Sequence, residues 1–159
     1  MIKNNLNLLK EMLKCIVICG GGGKSTLYQE YPDIFLDIDH FMWNNTTIET
    51  KNKLLEYIAK EDFNNIGRLY KITMTQNKEL RKDKRIILVH HPINAEWLDR
   101  TILLITRPTL ELHKNNIKDR NVFHQNLSMN DWNTLTYYEP VEYSNFDIFN
   151  TLIFDTINF

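Results

Sequence analysis

The sequence predicts an α/β fold, a doubly wound sheet of five parallel strands within one domain. Three observations predict it. The run CIVIC (Cys15–Cys19) is apolar at every position, as a strand buried on both faces requires. Four further short apolar runs follow at intervals, and the stretches between them carry helical spacing or helix caps. The chain has 159 residues and shows no internal repeat or linker, which suits one domain with a core of its own.

In chain order, NLNLLKEMLK (residues 5–14) reads as a short leading helix and CIVIC as the first strand. A helix should start at Lys24 and stop before Pro32, because the residue preceding a proline is driven out of the helical region. IFLDID (Ile34–Asp39) reads as the second strand. At the start of TIETKNKLLEYIAK, the preceding Thr46 and Glu49 form a capping-box pair ahead of Leu54, Leu55 and Ile58 at helical spacing. A second helical stretch covers Phe63 to Lys82, with Ile66, Leu69, Tyr70, Met74 and Leu80 on its buried side. RIILVH (Arg85–His90) and TILLIT (Thr101–Thr106) are the third and fourth strands. Pro108 opens a helix that ends in a basic turn, and NTLIFDT (Asn150–Thr156) is the fifth strand.

Composition excludes several classes. The formal net charge is −1, so no global charge points to nucleic acid or an anionic membrane. No apolar run approaches the ~20 residues of a membrane span, and MIKNNLNLLKEMLK lacks a signal peptide's apolar stretch. Cys15 and Cys19 lie too far apart along one strand to bridge, which suits a reducing, cytoplasmic location.

The chemistry begins at GGGGKST. Successive glycines allow a tight turn that aims backbone N–H groups at one anion, and the following helix adds its positive end. A lysine there neutralises phosphate oxygens, and the next hydroxyl can ligate magnesium. Gly20, Gly21, Gly22, Gly23, Lys24, Ser25 and Thr26 therefore form a phosphate-binding loop in the required strand–loop–helix context. The loop is short. The usual first glycine, five residues before Gly23, is replaced by Ile18, leaving Gly20-x-x-Gly23-Lys24-Ser25-Thr26. That spacing resembles the GTNGKST loop of the Mur ligases, whose further domains this chain is too short to contain.

FLDIDHF then brings Asp37 and Asp39 to the C-terminal end of the second strand, beside the loop in a parallel sheet. Strand alternation would point both carboxylates to one side. One can hold magnesium and the other accept a proton from an attacking hydroxyl.

GGGGKST followed by FLDIDHF resembles the start of the small P-loop kinases that phosphorylate metabolites, nucleosides, nucleotides or polynucleotide 5′ ends. Shikimate and gluconate kinases carry a similar D-x-D, and 5′-polynucleotide kinases an acidic pair, after the second strand. TILLITRPTLELHKNNIKDRN is similar to the strand, proline and arginine-ended helix that lead into their lid, and NTLIFDT to their closing strand. The resemblance implies a P-loop NTPase fold of the kinase type, with ATP and Mg2+ as cofactors. Gly20 to Gly23, Lys24 and Thr26 would hold the ATP phosphates, and Ser25 with Asp37 would hold the magnesium. Asp39 would be the base, and Arg120 would stabilise charge on the transferring group. Lys114 and Lys118 could stand in for a second lid arginine.

Two features depart from that pattern. The third strand ends LVHHP, where many P-loop proteins place a metal-binding aspartate, and His90 and His91 are poor ligands for magnesium. The expected lid after Arg120 is also brief, about ten residues to Met129. For the acceptor, Phe41 and Trp43 could stack a ring or pack the core; Arg68 and KELRKDKR (Lys78–Arg85) could meet an acidic substrate or simply be solvated. The expected activity is transfer of the ATP γ-phosphoryl to a small hydroxyl or phosphate acceptor, a nucleoside or nucleotide first. The alternatives are a polynucleotide 5′-hydroxyl kinase and a nucleotide-binding or hydrolysing switch without an acceptor; no membrane partner is expected.

Overall fold

In a computed structural model, which describes residues 13–158, every strand pairing is parallel and five strands form one sheet. The strands are β1 (Lys14–Ile18), β2 (Phe35–Asp37), β3 (Ile86–Val89), β4 (Thr101–Pro108) and β5 (Val141–Tyr143). Their spatial order is β2-β3-β1-β4-β5, so the chain leaves central β1, runs to one edge and crosses back. An all-parallel sheet in this order is compatible with a P-loop NTPase fold.

Both faces of β1 are buried, and its side chains alternate between two cores. Cys15, Val17 and Cys19 join Leu36, Ile38, Ile87 and Val89 on one face. Ile16 and Ile18 join Leu27, Phe35, Leu88, Tyr143, Phe149 and Ile153 on the other. Each fully buried aliphatic or aromatic side chain contributes about 1.5–3 kcal/mol, and after the half-buried Lys14 every residue of the central strand is apolar. The first face is covered by α2 (Ile38–Asn44), α3 (Ile48–Ala59), α4 (Phe63–Gln76), α5 (Lys78–Lys82) and α6 (Pro92–Leu98). The second is covered by α1 (Lys24–Glu30), α7 (Leu110–Ile117) and α9 (Phe146–Ile157). Helix α8 (Val122–Thr134) and a 3-10 turn (Leu135–Tyr138) connect α7 to β5.

Several expectations are corrected. The segment NTLIFDT is not a strand: it lies inside α9, and the fifth strand is Val141–Tyr143. Asn145 caps α9 by accepting from the Ile148 N–H at 2.9 Å, and Phe149 and Ile153, four apart, face the core. The second strand ends at Asp37; Ile38 and Asp39 already belong to α2. Thr47 rather than Thr46 caps α3, while the Thr46 hydroxyl donates to the Met42 carbonyl. The helical stretch from Phe63 to Lys82 breaks at Asn77, which caps α5 by accepting from the Leu80 N–H. Pro108 ends β4, and Thr109 caps α7. The leading helix expected over residues 5–14 falls outside the described residues except for its last two, and Lys14 opens β1.

A buried arginine locks the sheet at the end remote from the glycine loop. Arg100 donates to the carbonyls of Arg85 at 3.0 Å, Leu80 at 3.1 Å and Asp83 at 2.6 Å, tying α5 and β3 to the start of β4. Its neighbour Arg85 is held by Asp83 at 2.7 Å. Arg81 donates to the Met74 and Trp97 carbonyls. Within the basic run KELRKDKR, Arg81 thus holds helices together and Arg85 is paired with Asp83.

Candidate functional site

The glycine loop leaves the C-terminal end of β1 and enters α1 at Lys24. Gly21 and Gly23 have φ of 82° and 109°, a region that side chains disfavour, and Gly23 is the helix cap without any side-chain bond to the first turn. Gly22 is needed for a different reason: a Cβ there would lie 2.5 Å from Ile18 and 2.8 Å from the Cys19 carbonyl. Two loop carbonyls are taken up from outside. The Tyr143 hydroxyl donates to Gly22, and the Asn116 amide to Gly21 at 3.1 Å. The Gly22 N–H closes the turn on the Cys19 carbonyl at 3.0 Å, while the first-turn amides of α1 have no side-chain cap. The cavity beside the loop, of about 260 Å³, is lined by Gly20, Gly21, Gly23, Lys24, Ser25, Thr26, Asp39, Asn116, Arg120 and Phe146.

Lys24 is only 5% exposed and donates to the carbonyls of Ile18 at 3.2 Å and Cys19 at 3.4 Å. Its ammonium lies 3.8 Å from Asp39. Asp37 and Asp39 do not share a strand face as alternation implied. Asp37 caps α2, accepting from the Asp39 N–H at 3.0 Å, and that turn swings Asp39 over the loop. The two carboxylates acquire opposite character. Burial, followed by the charge of Asp39, pushes Asp37 above its ordinary pKa. Burial also presses on Asp39, but Lys24, His90, the Tyr70 hydroxyl and Arg120 together outweigh it and hold Asp39 below its ordinary value. Asp39 is therefore the member of the pair that loses its proton more readily.

The Ser25 hydroxyl donates to Asp37 at 3.3 Å, so a hydroxyl and a carboxylate oxygen lie side by side under the loop. Two hard oxygen donors fit Mg2+, which keeps most of its waters and takes few protein ligands. Among the described residues no group of three or more His, Cys, Asp and Glu side chains forms a metal cluster.

Arg120 follows α7 and lines the same cavity, where its guanidinium donates to the Ser128 hydroxyl at 3.1 Å. The expected brief lid after it is replaced by a helix. Asn121 caps α8 by accepting from the His124 N–H, and the far end of α8 is fastened to the sheet. Arg107 stacks 3.7 Å over the Trp132 ring and donates to Glu142 at 2.8 Å and the Trp132 carbonyl at 2.7 Å. The Trp132 indole in turn donates to the Pro108 carbonyl at 2.8 Å. Arg120 thus reaches the cleft from a braced turn. Lys114 and Lys118 are exposed and do not line the cavity.

His90 and His91 have separate tasks. His91 caps α6, its ring accepting from the Ile93 N–H at 3.0 Å, while His90 faces Asp39 at 3.8 Å. Two participants had no local sign in the sequence. The Tyr70 hydroxyl donates to Asp39 at 2.7 Å. Asp131, from α8, lies at Gly20, and its pKa is raised chiefly by burial. A Tyr on the apolar side of a predicted helix is the only hint the first offered; the second had none.

Beyond Asp39 the cavity beside the glycine loop opens into a larger cleft of about 470 Å³ between α2, α3, α4, α6 and α8. Gly20, Asp39 and Arg120 line both. Phe41 is buried core, whereas Trp43 lines this cleft. Arg68 is exposed and outside it.

No family model, no curated protein and no solved structure matches this chain. Among the described residues no helix is long and apolar enough to cross a membrane.

Proposed function

We propose that this chain is an ATP-dependent phosphotransferase, a kinase that moves the γ-phosphoryl group to a hydroxyl of a small-molecule acceptor. The observation that carries the reading is the convergence of Lys24, Asp39 and Arg120, from three separate elements, on one cleft beside an uncapped glycine loop. The loop amides and Lys24 bind the phosphates, and Arg120 brings positive charge to the transferring group. Ser25 and Asp37 would hold Mg2+, which neutralises charge on the β- and γ-phosphate oxygens. The acceptor oxygen forms its bond to the γ-phosphorus as the bond to the β,γ-bridging oxygen breaks. The hydroxyl proton passes to Asp39, and ADP leaves. Tyr70 fixes the orientation of Asp39 by donating to one carboxylate oxygen, leaving the other toward the loop.

A nucleotide-hydrolysing switch is the competing reading, and His90 at the end of β3, in place of a carboxylate, is the observation that favours it. One experiment addresses both. Mg-ATP should raise the melting temperature of the wild type, and Lys24→Ala should lose most of that shift. A variant keeping the full shift sinks the phosphate-loop reading. ADP formation that rises severalfold on adding an acceptor identifies a kinase, and formation indifferent to every acceptor identifies the switch.

A further inference from the structure

The chemistry of the larger cleft restricts what can sit beside Asp39. Its wall is drawn from five helices and is largely apolar: Trp43 from α2, Ile58 from α3, Ile66 from α4, Trp97 from α6 and Leu127 from α8. At the rim Phe63 and Phe123, from α4 and α8, hold their rings 5.1 Å apart at 37°, and Phe63 is 50% exposed. Two aromatic rings paired at a mouth, with one half in solvent, form a surface on which a third ring can pack.

The charges are as informative as the apolar wall. Among the described residues Arg120 is the only lysine or arginine lining the cleft, and it stands at the junction with the loop-side cavity. Asp39 and Asp131 supply two carboxylates, and the other ionisable side chains are His90, His91, His124 and Tyr70. A bound phosphate requires charge-assisted donors of its own, commonly a bidentate arginine. Arg81 and Arg85 are engaged elsewhere, and Arg68 lies outside the cleft. An acceptor carrying a phosphate or carboxylate would meet two carboxylates and, among the described residues, no lysine or arginine besides Arg120, leaving only histidines to pair it. The volume sets a size: a cavity of about 150 Å³ holds one benzene ring, so 470 Å³ admits a body of two or three rings.

We infer that the acceptor is an uncharged, ring-bearing alcohol, whose hydroxyl lies at Asp39 and whose apolar body occupies the cleft between Trp43, Ile66 and the Phe63–Phe123 pair. This rests on the phosphotransferase reading and narrows it, excluding nucleotides and polynucleotide ends as acceptors. The transfer is the one balanced above, with ATP as donor and the proton taken up at Asp39.

The test uses naphthylmethanol, its ring-carboxylated analogue, thymidine monophosphate and a 5′-hydroxyl oligothymidylate, with the whole chain and Mg-ATP. Calorimetry reads binding, and ADP formation reads transfer. Naphthylmethanol should bind at least tenfold more tightly than the carboxylated analogue and be phosphorylated in preference to both phosphate-bearing compounds. Phe63→Ala should weaken naphthylmethanol at least fivefold, and Phe63→Tyr should restore it. Preference for a phosphate-bearing acceptor overturns the inference and leaves the phosphotransferase standing. Absence of binding by naphthylmethanol also overturns it. Binding with the stated preference but no transfer to any compound supports the cleft chemistry and removes the phosphotransferase.

Discussion

Tyr70 donates a hydrogen bond of 2.7 Å to Oδ1 of Asp39, although 31 residues of chain separate them. The bond joins α4 to the first turn of α2 and holds the carboxylate whose other oxygen faces Lys24 at 3.8 Å. In the phosphotransferase proposed here, a base oriented in this way would accept a proton without rearranging at the moment of transfer. The hydroxyl also stabilises the ionised form, so it is one of the causes keeping the Asp39 pKa low.

Tyr70→Phe preserves the ring and deletes only that donor. Turnover should fall about 3- to 10-fold, the scale of one net hydrogen bond of about 1 kcal/mol. The acid limb of the pH–rate profile should also move to higher pH, since Asp39 then protonates more readily. A purely structural role would change stability and leave the limb in place. Asp39→Asn should cost ~10²-fold or more in turnover while the Mg-ATP thermal shift stays near wild type.

The loop glycine Gly22 and the helix glycine Gly67 give opposite outcomes for the same substitution. A Cβ on Gly22 meets the Cys19 carbonyl at 2.8 Å, so Gly22→Ala must displace loop backbone. A Cβ on Gly67, within α4, meets nothing within 4 Å. Gly67→Ala should therefore raise stability by about 0.5–1 kcal/mol from helix propensity alone. Gly22→Ala should lose most of the nucleotide-induced thermal shift. Chemical denaturation of the two variants, with and without Mg-ATP, checks both.

The elements that carry the glycine loop were legible because their signals are local. The run from Cys15 to Cys19 is apolar throughout since both sheet faces are covered, and the glycines before Lys24 mark a turn that uses positive φ at Gly21 and Gly23, where side chains are disfavoured. Segment 150–156 misled because Leu152, Ile153 and Phe154 are strand-formers in a row. The decisive signs lay upstream, in the Asn145 cap and in the spacing of Phe149 and Ile153. Asp39 reached the site for a reason other than strand alternation, namely the α2 turn capped by Asp37. Tyr70 and Asp131 could not be read locally, since only the packing of α4 and α8 against the sheet brings them to Asp39 and Gly20. The bracing of α8 was hidden for the same reason, because Arg107 and Trp132 lie 25 residues apart.

Arg120 has no ion-pair partner among the described residues and rests on Ser128 at 3.1 Å. An arginine acting on charge that develops during transfer should lower kcat and kcat/KM together, with little effect on ATP affinity. Arg120→Ala is expected to lose roughly 2–4 kcal/mol of transition-state stabilisation. Arg120→Lys should recover only part, because a point charge cannot reproduce the guanidinium fork. Single-turnover rates that match wild type in both variants would remove Arg120 from the mechanism.

His113 provides a pH test of the brace beneath the loop. It is fully buried, its Nε2 lies 3.2 Å from the Ser128 carbonyl, and its ring stacks on Trp132 at 6.3 Å. Burial is the largest cause lowering its pKa; the Ser128 carbonyl opposes this, while Arg120, Arg107 and Lys24 add to it. The folded state therefore binds this proton less readily than the unfolded chain, whose histidine titrates near 6.5. Stability is fully present above that value and is lost as pH falls through it, by at most about 1.4 kcal/mol per pH unit for one group. His91, lowered by burial and by His90, acts in the same direction. Asp37 and Asp131, whose values are raised, act oppositely, so the comparison with a His113 variant isolates the imidazole. Melting temperatures should thus decline from neutral pH toward pH ~5.5, and His113→Gln should start lower yet decline less. A variant whose stability falls as steeply as that of the wild type would show that the buried imidazole is not the group responsible.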